Sequence, residues 1–175
     1  MTDIPRLTPT INLQISDFSS PGENRQLSIL NGLSDIMKYA SADDNVIIHD
    51  AARPLVTAKQ ISNCIKKLGE ADGVLPVLEM KDTVYYSDDG KMISSLLERN
   101  KIFAGQAPEA FKLKKYFDAN VALLPDEILK INGSTEPAVK FGLNVALIDG
   151  DENNFKITTK ADLECFEKLV SEGRV

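Results

Sequence analysis

The chain has 175 residues, 43% of them hydrophobic, which is enough for one domain with a sizeable core. A net charge of -6 and an isoelectric point near 4.9 argue against non-specific nucleic-acid binding, because a phosphate backbone requires a basic surface. No apolar stretch approaches the roughly 18 to 20 residues that span a bilayer, and the amino terminus does not show a signal-peptide pattern.

Predicted strands and helices alternate along the chain. Apolar runs and apolar–polar alternation predict strands at 11–15, 46–48, 74–78 and 145–148. Helical spacing and helix-capping residues predict helices at 24–40, 57–68, 112–122, 135–141 and 161–170. This alternation is typical of an α/β fold with a mostly parallel sheet, and we expect residues 1–175 to form a single domain.

Residues 82–104 form a different kind of segment. Two strand-like runs at 82–87 and 91–96 flank the sequence Asp88-Asp89-Gly90, which predicts a β-hairpin. The hairpin carries too many apolar residues for a solvated arm. We therefore expect it to pack on another surface, such as a second subunit.

The cysteine and histidine content limits the chemistry. Cys64 and Cys165 have no partner at metal-ligand spacing, so we expect buried free thiols in a reducing cytoplasm. A single histidine, His49, excludes a His-rich metal site.

Asp50 and Arg53 follow directly after the predicted buried strand at 46–48. In open α/β sheets, ligands bind outside the carboxyl ends of the strands. An aspartate there suits a metal ion, and an arginine suits a phosphate group. The alternative is a strand end at which Asp50 and Arg53 pair with each other or with solvent.

Three other places combine polar residues with the end of a predicted element. Gly22, Arg25 and Ser28 lie where a loop enters the first helix, and the alternative is an ordinary capped helix start. Arg99 follows the hairpin, and the alternative is a surface arginine paired with an acid. Lys156 points opposite to its apolar neighbours, and the alternative is a solvated lysine before a capped helix.

Taken in order, these motifs resemble the 2-C-methyl-D-erythritol 4-phosphate cytidylyltransferases and their relatives, the ribitol-5-phosphate cytidylyltransferases. The resemblance extends from about Ile11 to Leu169. Its motifs are Gly-x-x-Arg-x-x-Ser at 22–28, His-Asp-Ala-Ala-Arg-Pro at 49–54, Asp-Thr at 82–83, Arg99, Gly-Gln-x-Pro at 105–108 and Asn-x-Lys-Ile-Thr at 154–158. The runs at 50–54 and 154–158 are the most specific.

The resemblance implies a Rossmann-like, mostly parallel sheet of the nucleotidyltransferase (GT-A-like) kind, with residues 82–104 as a dimerisation arm. It implies transfer of CMP from CTP to a polyol phosphate with Mg²⁺, release of pyrophosphate, and a homodimer. By this likeness Gly22, Arg25 and Ser28 line the cytidine pocket, and Asp50 faces the CTP phosphates and the metal. Arg53, Thr83, Arg99 and Lys156 hold the polyol phosphate, and two of them, Thr83 and Arg99, reach across from the partner's arm. Asp50, Arg53 and Lys156 are the expected catalytic residues.

The sequence also departs from the family pattern. Nothing before Ile11 matches the Gly-rich loop that opens family members, so about a third of a family member has no counterpart here. Ala107 stands where a hydroxyl residue is usual, and Thr135-Glu136-Pro137 replaces a more acidic run.

Three interpretations therefore stay open. The first is an active transferase. Its polyol is methylerythritol phosphate, favoured by the motif at 49–54, or ribitol phosphate, favoured by 105–106 and 124–127. The second is a catalytically silent binding form of the same fold. The third is a fragment of a longer active protein.

Overall fold

The computed structural model of the protein describes residues 18–174. The predicted strand at 11–15 lies outside them. The described helices are α1 (Arg25–Ile36), α2 (Ala58–Lys67), α3 (Leu113–Val121), α4 (Glu136–Lys140) and α5 (Lys160–Ser171). The described strands are β1 (Asn45–Ile48), β2 (Gly73–Glu79), β3 (Tyr85–Tyr86), β4 (Ser95–Leu96), β5 (Phe103–Gly105), β6 (Glu109–Lys112) and β7 (Val145–Asp149).

The central sheet has β2 in its middle. β6 and β5 pair antiparallel with successive parts of β2, and β7 pairs parallel with it. β1 pairs antiparallel with β6. It follows that β1, β2 and β7 run in one direction and that β5 and β6 run in the other. The predicted α/β class is confirmed, and the sheet brings the carboxyl ends of β1 and β7 to the same side of the molecule.

Helices pack on both faces of the sheet around β1, β2 and β6, whereas β5 is exposed along its length. Successive residues of β6 point to opposite faces: Phe111 packs in a core formed with α1, α3 and α4, whereas Ala110 packs in a second core with α2. In the first core, Phe111 stacks on Tyr116, with a ring-centroid distance of 4.0 Å. These two cores fix the strand ends that carry the site.

Helix boundaries follow side-chain caps. Thr57 and Thr159 begin α2 and α5 with reciprocal capping boxes, close to the predicted starts. The first helix ends at Ile36 rather than near residue 40, because tighter turns replace the helical pattern. The amides of Lys38 and Tyr39 donate to the carbonyl groups three residues earlier in the chain.

The hairpin and one cysteine differ from expectation. The two-stranded part is limited to β3 and β4, because side chains hold the intervening loop: Asp89 accepts from two backbone amides and Ser87 donates to the Met92 carbonyl. Cys64 is buried, but the prediction that Cys165 is buried is wrong, since it lies on α5, which has no buried residue along its described length. None of the described helices is long and apolar enough to cross a membrane.

Candidate active site

The carboxyl end of β1 positions the central residues of the site. Asp50 lies two residues beyond the strand, and its carbonyl accepts from the Arg53 amide at 2.9 Å, which closes a turn. The carbonyl of Ala52 accepts from the Ile157 amide at 2.8 Å. This backbone contact joins the turn to the segment that carries Lys156, although the two are a hundred residues apart in the sequence.

Asp50 is surrounded by positive charge. Its Oδ1 lies 2.6 Å from Nη2 of Arg25, and its Oδ2 lies 3.1 Å from Nζ of Lys156 and 3.7 Å from Nε of Arg53. Only 14% of the Asp50 side chain is exposed. Burial by itself would raise the pKa of Asp50, but the hydrogen bonds and charges of Arg25 and Lys156 outweigh it and lower the pKa below its usual value.

Arg53 is held in place by the segment that carries Lys156. The Arg53 side chain is 12% exposed, and its Nη1 donates to the Asn154 carbonyl at 2.6 Å. Among the described residues its buried Nε has no hydrogen-bond partner, and it lies 3.7 Å from the Asp50 carboxylate. Hydrogen bonds between a guanidinium group and phosphate oxygens are strong, so the Arg53 side chain suits a phosphate ligand.

These side chains line one cleft of about 310 Å³. Its lining residues include the charged cluster of Arg25, Asp50, Arg53 and Lys156, together with Ala107, Glu109, Ser134 and Thr135. The structure therefore brings Asp50, Arg53 and Lys156 together, as the sequence-based hypothesis required, and adds Arg25 to them.

The loop before α1 is built by close backbone packing. Ser28 accepts from the Gly22 amide and donates to the Asn24 carbonyl, both at 2.9 Å. A Cβ on Gly22 would lie 2.6 Å from the backbone of Leu27 and Ser28, so this position requires glycine. The Ser28 hydroxyl braces the loop, and the assignment of Gly22, Arg25 and Ser28 to cytidine stays a prediction.

Thr83 and Arg99 lie away from this cleft. Thr83 is exposed, and Arg99 donates to the Lys81 carbonyl at 2.8 Å, beside a different cleft of about 620 Å³. Neither residue lines the cleft of Lys156, and their service to a partner's site stays a prediction.

Comparison with known proteins adds a family assignment to this geometry. The family described as "IspD: 2-C-methyl-D-erythritol 4-phosphate cytidylyltransferase" matches residues 11–172. The chain belongs to the IspD family.

Relatives in the IspD family include proteins named 2-C-methyl-D-erythritol 4-phosphate cytidylyltransferase. Those of Crocosphaera subtropica and Clostridium botulinum are each 32% identical to the chain and match 86% and 91% of it. The chain spans 64% and 69% of their respective lengths. The crystal structure of the Francisella tularensis protein of the same name is 26% identical, with a TM-score of 0.75 over 84% of this chain and 68% of that one.

The donor set for the expected magnesium ion is small. Within residues 18–174, no three His, Cys, Asp or Glu side chains are grouped so as to hold a metal ion. Asp50 is the carboxylate at the charged end of the cleft, and each of its oxygens already faces a cation. A single carboxylate suits an ion that takes its other ligands from phosphate oxygens and water, as is common for Mg²⁺, and magnesium binding at Asp50 stays a prediction.

Several buried polar residues that shape the IspD cleft were not anticipated. Glu109 accepts from Ser134 and Thr135, and Gln106 pairs with the backbone of Asp151 through both of its side-chain ends. Asn154 donates to the Ala107 carbonyl at 2.7 Å. The sequence marked Gln106 and Asn154 only as members of the motifs at 105–108 and 154–158, and it did not mark Glu109.

Proposed function

We propose that the chain is a cytidylyltransferase that transfers CMP from CTP to 2-C-methyl-D-erythritol 4-phosphate and releases pyrophosphate. The observation that carries this proposal is the convergence of Arg25, Arg53 and Lys156 on Asp50 in one cleft of the described residues. The names of the IspD relatives supply the substrate.

The cluster suits a reaction between two anions. Arg53 and Lys156, which both line the cleft, hold the phosphate of the polyol through their guanidinium and ammonium groups. One oxygen of that phosphate attacks the α-phosphorus of CTP in line, the new P–O bond forms, and the bond to the leaving pyrophosphate breaks. The cationic side chains offset the repulsion between the reactants, so their contribution is positioning and charge neutralisation.

Magnesium is part of this proposal, with Asp50 as its protein ligand. When bound with CTP, the ion neutralises the phosphate oxygens and the departing pyrophosphate. Asp50 also keeps the side chains of Arg25 and Lys156 directed into the cleft before either substrate arrives. Gly22 and Ser28, which shape the neighbouring loop, are the proposed neighbours of the cytidine.

The proposal includes a homodimer formed through the arm at 82–104. Six large apolar side chains of the arm are at least 40% exposed in the single chain: Tyr85, Tyr86, Met92, Ile93, Leu96 and Phe103. A second copy that covers this surface would also bring its Thr83 and Arg99 to the cleft. The free thiols of Cys64 and Cys165 support a cytoplasmic location for the dimer.

The direct test measures pyrophosphate release by the purified chain with CTP, Mg²⁺ and methylerythritol phosphate. Lys156→Ala should raise the KM for the polyol phosphate about ten- to a hundredfold, since it removes a charge-assisted contact of about 1.5–3 kcal/mol. The affinity for CTP, measured by calorimetry, should change little.

Lys168→Ala is the matched control. Lys168 is an exposed lysine on α5 that pairs with Glu172, and its removal should leave both constants unchanged. Pyrophosphate release no faster than in a protein-free blank would refute the proposed reaction. An unchanged KM in Lys156→Ala would remove Lys156 from the substrate site.

A further inference from the structure

Glu109 is an ionisable residue of the cleft that the proposed reaction does not use. It is the first residue of β6 and lies opposite Ile48, two residues before Asp50. Only 8% of Glu109 is exposed. A buried carboxylate close to the binding site of an anion is unfavourable, and its presence indicates a functional role for Glu109.

Both carboxylate oxygens of Glu109 accept hydrogen bonds from the neighbouring wall. Ser134 Oγ donates to Oε1 at 2.6 Å, and Thr135 Oγ1 donates to Oε2 at 2.9 Å. A hydroxyl group has one proton to donate, so each of these hydroxyls is left only with lone pairs for another partner. Towards the cleft, Thr135 therefore presents an acceptor.

The backbone of this wall is fixed from behind. The Tyr116 hydroxyl donates to the Ser134 carbonyl at 2.6 Å, and Gln26 Nε2 donates to the Tyr116 oxygen at 3.1 Å. Gln26, Tyr116 and Ser134 are all buried. Because the loop is held independently of Glu109, the carboxylate is not needed merely to keep it in place.

The residues that line the cleft thus fall into two groups of different hydrogen-bonding character. Arg53 and Lys156 are donors and suit the acceptor oxygens of a phosphate. The hydroxyl group of Thr135 is an acceptor and suits a hydroxyl group, which donates. A ligand that satisfies both groups of residues is a phosphate ester with free hydroxyl groups on its carbon chain.

We propose that Glu109 is a positioning residue that orients the Thr135 hydroxyl as an acceptor and thereby makes the cleft select polyol phosphates over simple alkyl phosphates. This inference rests on the proposed function, because it assumes that Arg53 and Lys156 bind the phosphate. Ala107 lines the same cleft and brings no hydroxyl group to it, so this selection depends on Thr135.

The test compares methylerythritol phosphate with butyl phosphate, which has a four-carbon chain and no hydroxyl group. Calorimetry on the full chain gives the two dissociation constants, and their ratio measures selectivity. Glu109→Met removes the acceptors while keeping a similar shape, and it should lower the ratio about three- to tenfold, the range expected for one hydrogen bond. Thr135→Val should lower it equally.

Two conservative variants separate orientation from packing. Glu109→Gln keeps an amide oxygen that Thr135 can donate to, and Thr135→Ser keeps the hydroxyl, so both should retain most of the selectivity. In a Glu109→Met background, Thr135→Val should have no further effect, because the two side chains act as one unit. A structural role for Glu109 would instead weaken both ligands alike.

The outcomes are distinguishable. If the wild-type chain binds neither ligand, the proposed function fails and this inference fails with it. If it binds both and the ratio is unchanged in Glu109→Met, the proposed function stands and this inference is wrong. Should Glu109→Met unfold in a thermal denaturation assay, an unchanged ratio in Thr135→Val overturns the inference on its own.

Discussion

Asp50 is the residue on which the charged cluster depends. It is the carboxylate among Arg25, Arg53 and Lys156, and it is mostly buried. Without it, three cations would face one another across a cleft of about 310 Å³. The same carboxylate repels an incoming phosphate, so Asp50 opposes the binding of an anion while it holds the groups that bind it.

Replacing Asp50 separates these two effects. Asp50→Asn should bind inorganic phosphate about fivefold more tightly, since unit charges about 4 Å apart interact by about 1 kcal/mol even at the dielectric constant of water. It should also lower the free energy of unfolding by about 1–3 kcal/mol, because charged hydrogen bonds are lost. Calorimetry with phosphate and urea denaturation measure the two quantities.

Asp118→Asn is the control for this substitution. Asp118 is an exposed aspartate on α3 that pairs with Lys114, and its replacement should change neither quantity appreciably. Weaker phosphate binding in Asp50→Asn would contradict the electrostatic argument. It would show instead that the carboxylate is needed to keep the cations in their binding positions.

The sequence revealed the charged residues but not the wall that faces them. Asp50, Arg53 and Lys156 were found because each follows a recognisable strand or precedes a capped helix. Glu109 could not be interpreted in the same way, because its partners Ser134 and Thr135 lie some 25 residues further along the chain. The role of a buried carboxylate depends on such distant partners, and no local sequence pattern identifies them.

Among the elements, α1 and the loop before it are the most sensitive to small changes. The side chain of Asn24 caps α1 and also donates to the Ile128 carbonyl, so the start of the helix is tied to a distant turn. Gly22 packs against the first turn with no room for a side chain. The position of Arg25, and with it one contact to Asp50, depends on this packing.

Two glycines near α1 should respond to alanine in opposite directions. Gly22→Ala forces a Cβ to within 2.6 Å of backbone atoms and should lower the free energy of unfolding by about 1–3 kcal/mol. Gly32→Ala, inside α1, places a Cβ 3.8 Å from its nearest neighbour outside the helix among residues 18–174, and it should raise the free energy of unfolding by up to about 1 kcal/mol. Chemical denaturation measures both, and a Gly22→Ala variant that is as stable as the wild type would show that the loop adjusts freely.

Capping chemistry made the helices predictable, whereas strand pairing was not. The capping boxes that start helices at Thr57 and Thr159 each lie within four consecutive residues, so both helix starts were predicted closely. The insertion of β6 between β1 and β2 depends on contacts between residues more than thirty positions apart. That insertion places Glu109 beside Asp50, so the same distant pairing that escaped prediction completes the cleft.

At the scale of the whole molecule, the single chain leaves two features unexplained. The arm exposes Met92 and Ile93 by 73% and 67%, a large apolar surface for an isolated protein. Arg99 lies at the base of this arm, outside the cleft that holds Lys156. A symmetric dimer that exchanges arms would account for both, because one contact would cover the apolar residues and deliver the arginine.

Mixing two inactive variants tests this exchange. If each cleft combines Lys156 of one protomer with Arg99 of the other, Arg99→Ala and Lys156→Ala should each lose most activity. After subunits are exchanged, however, a mixed dimer contains one site with both substitutions and one intact site. Random pairing makes half of the dimers mixed, so pyrophosphate release should recover to about a quarter of the wild-type rate.

The control mixes Lys156→Ala with Arg53→Ala. Activity should not recover in this mixture, because both residues then belong to the same cleft, and sedimentation velocity should show that the dimer still forms. If mixing restores nothing while each variant still forms dimers, Arg99 serves its own protomer, and the apolar arm requires a different explanation.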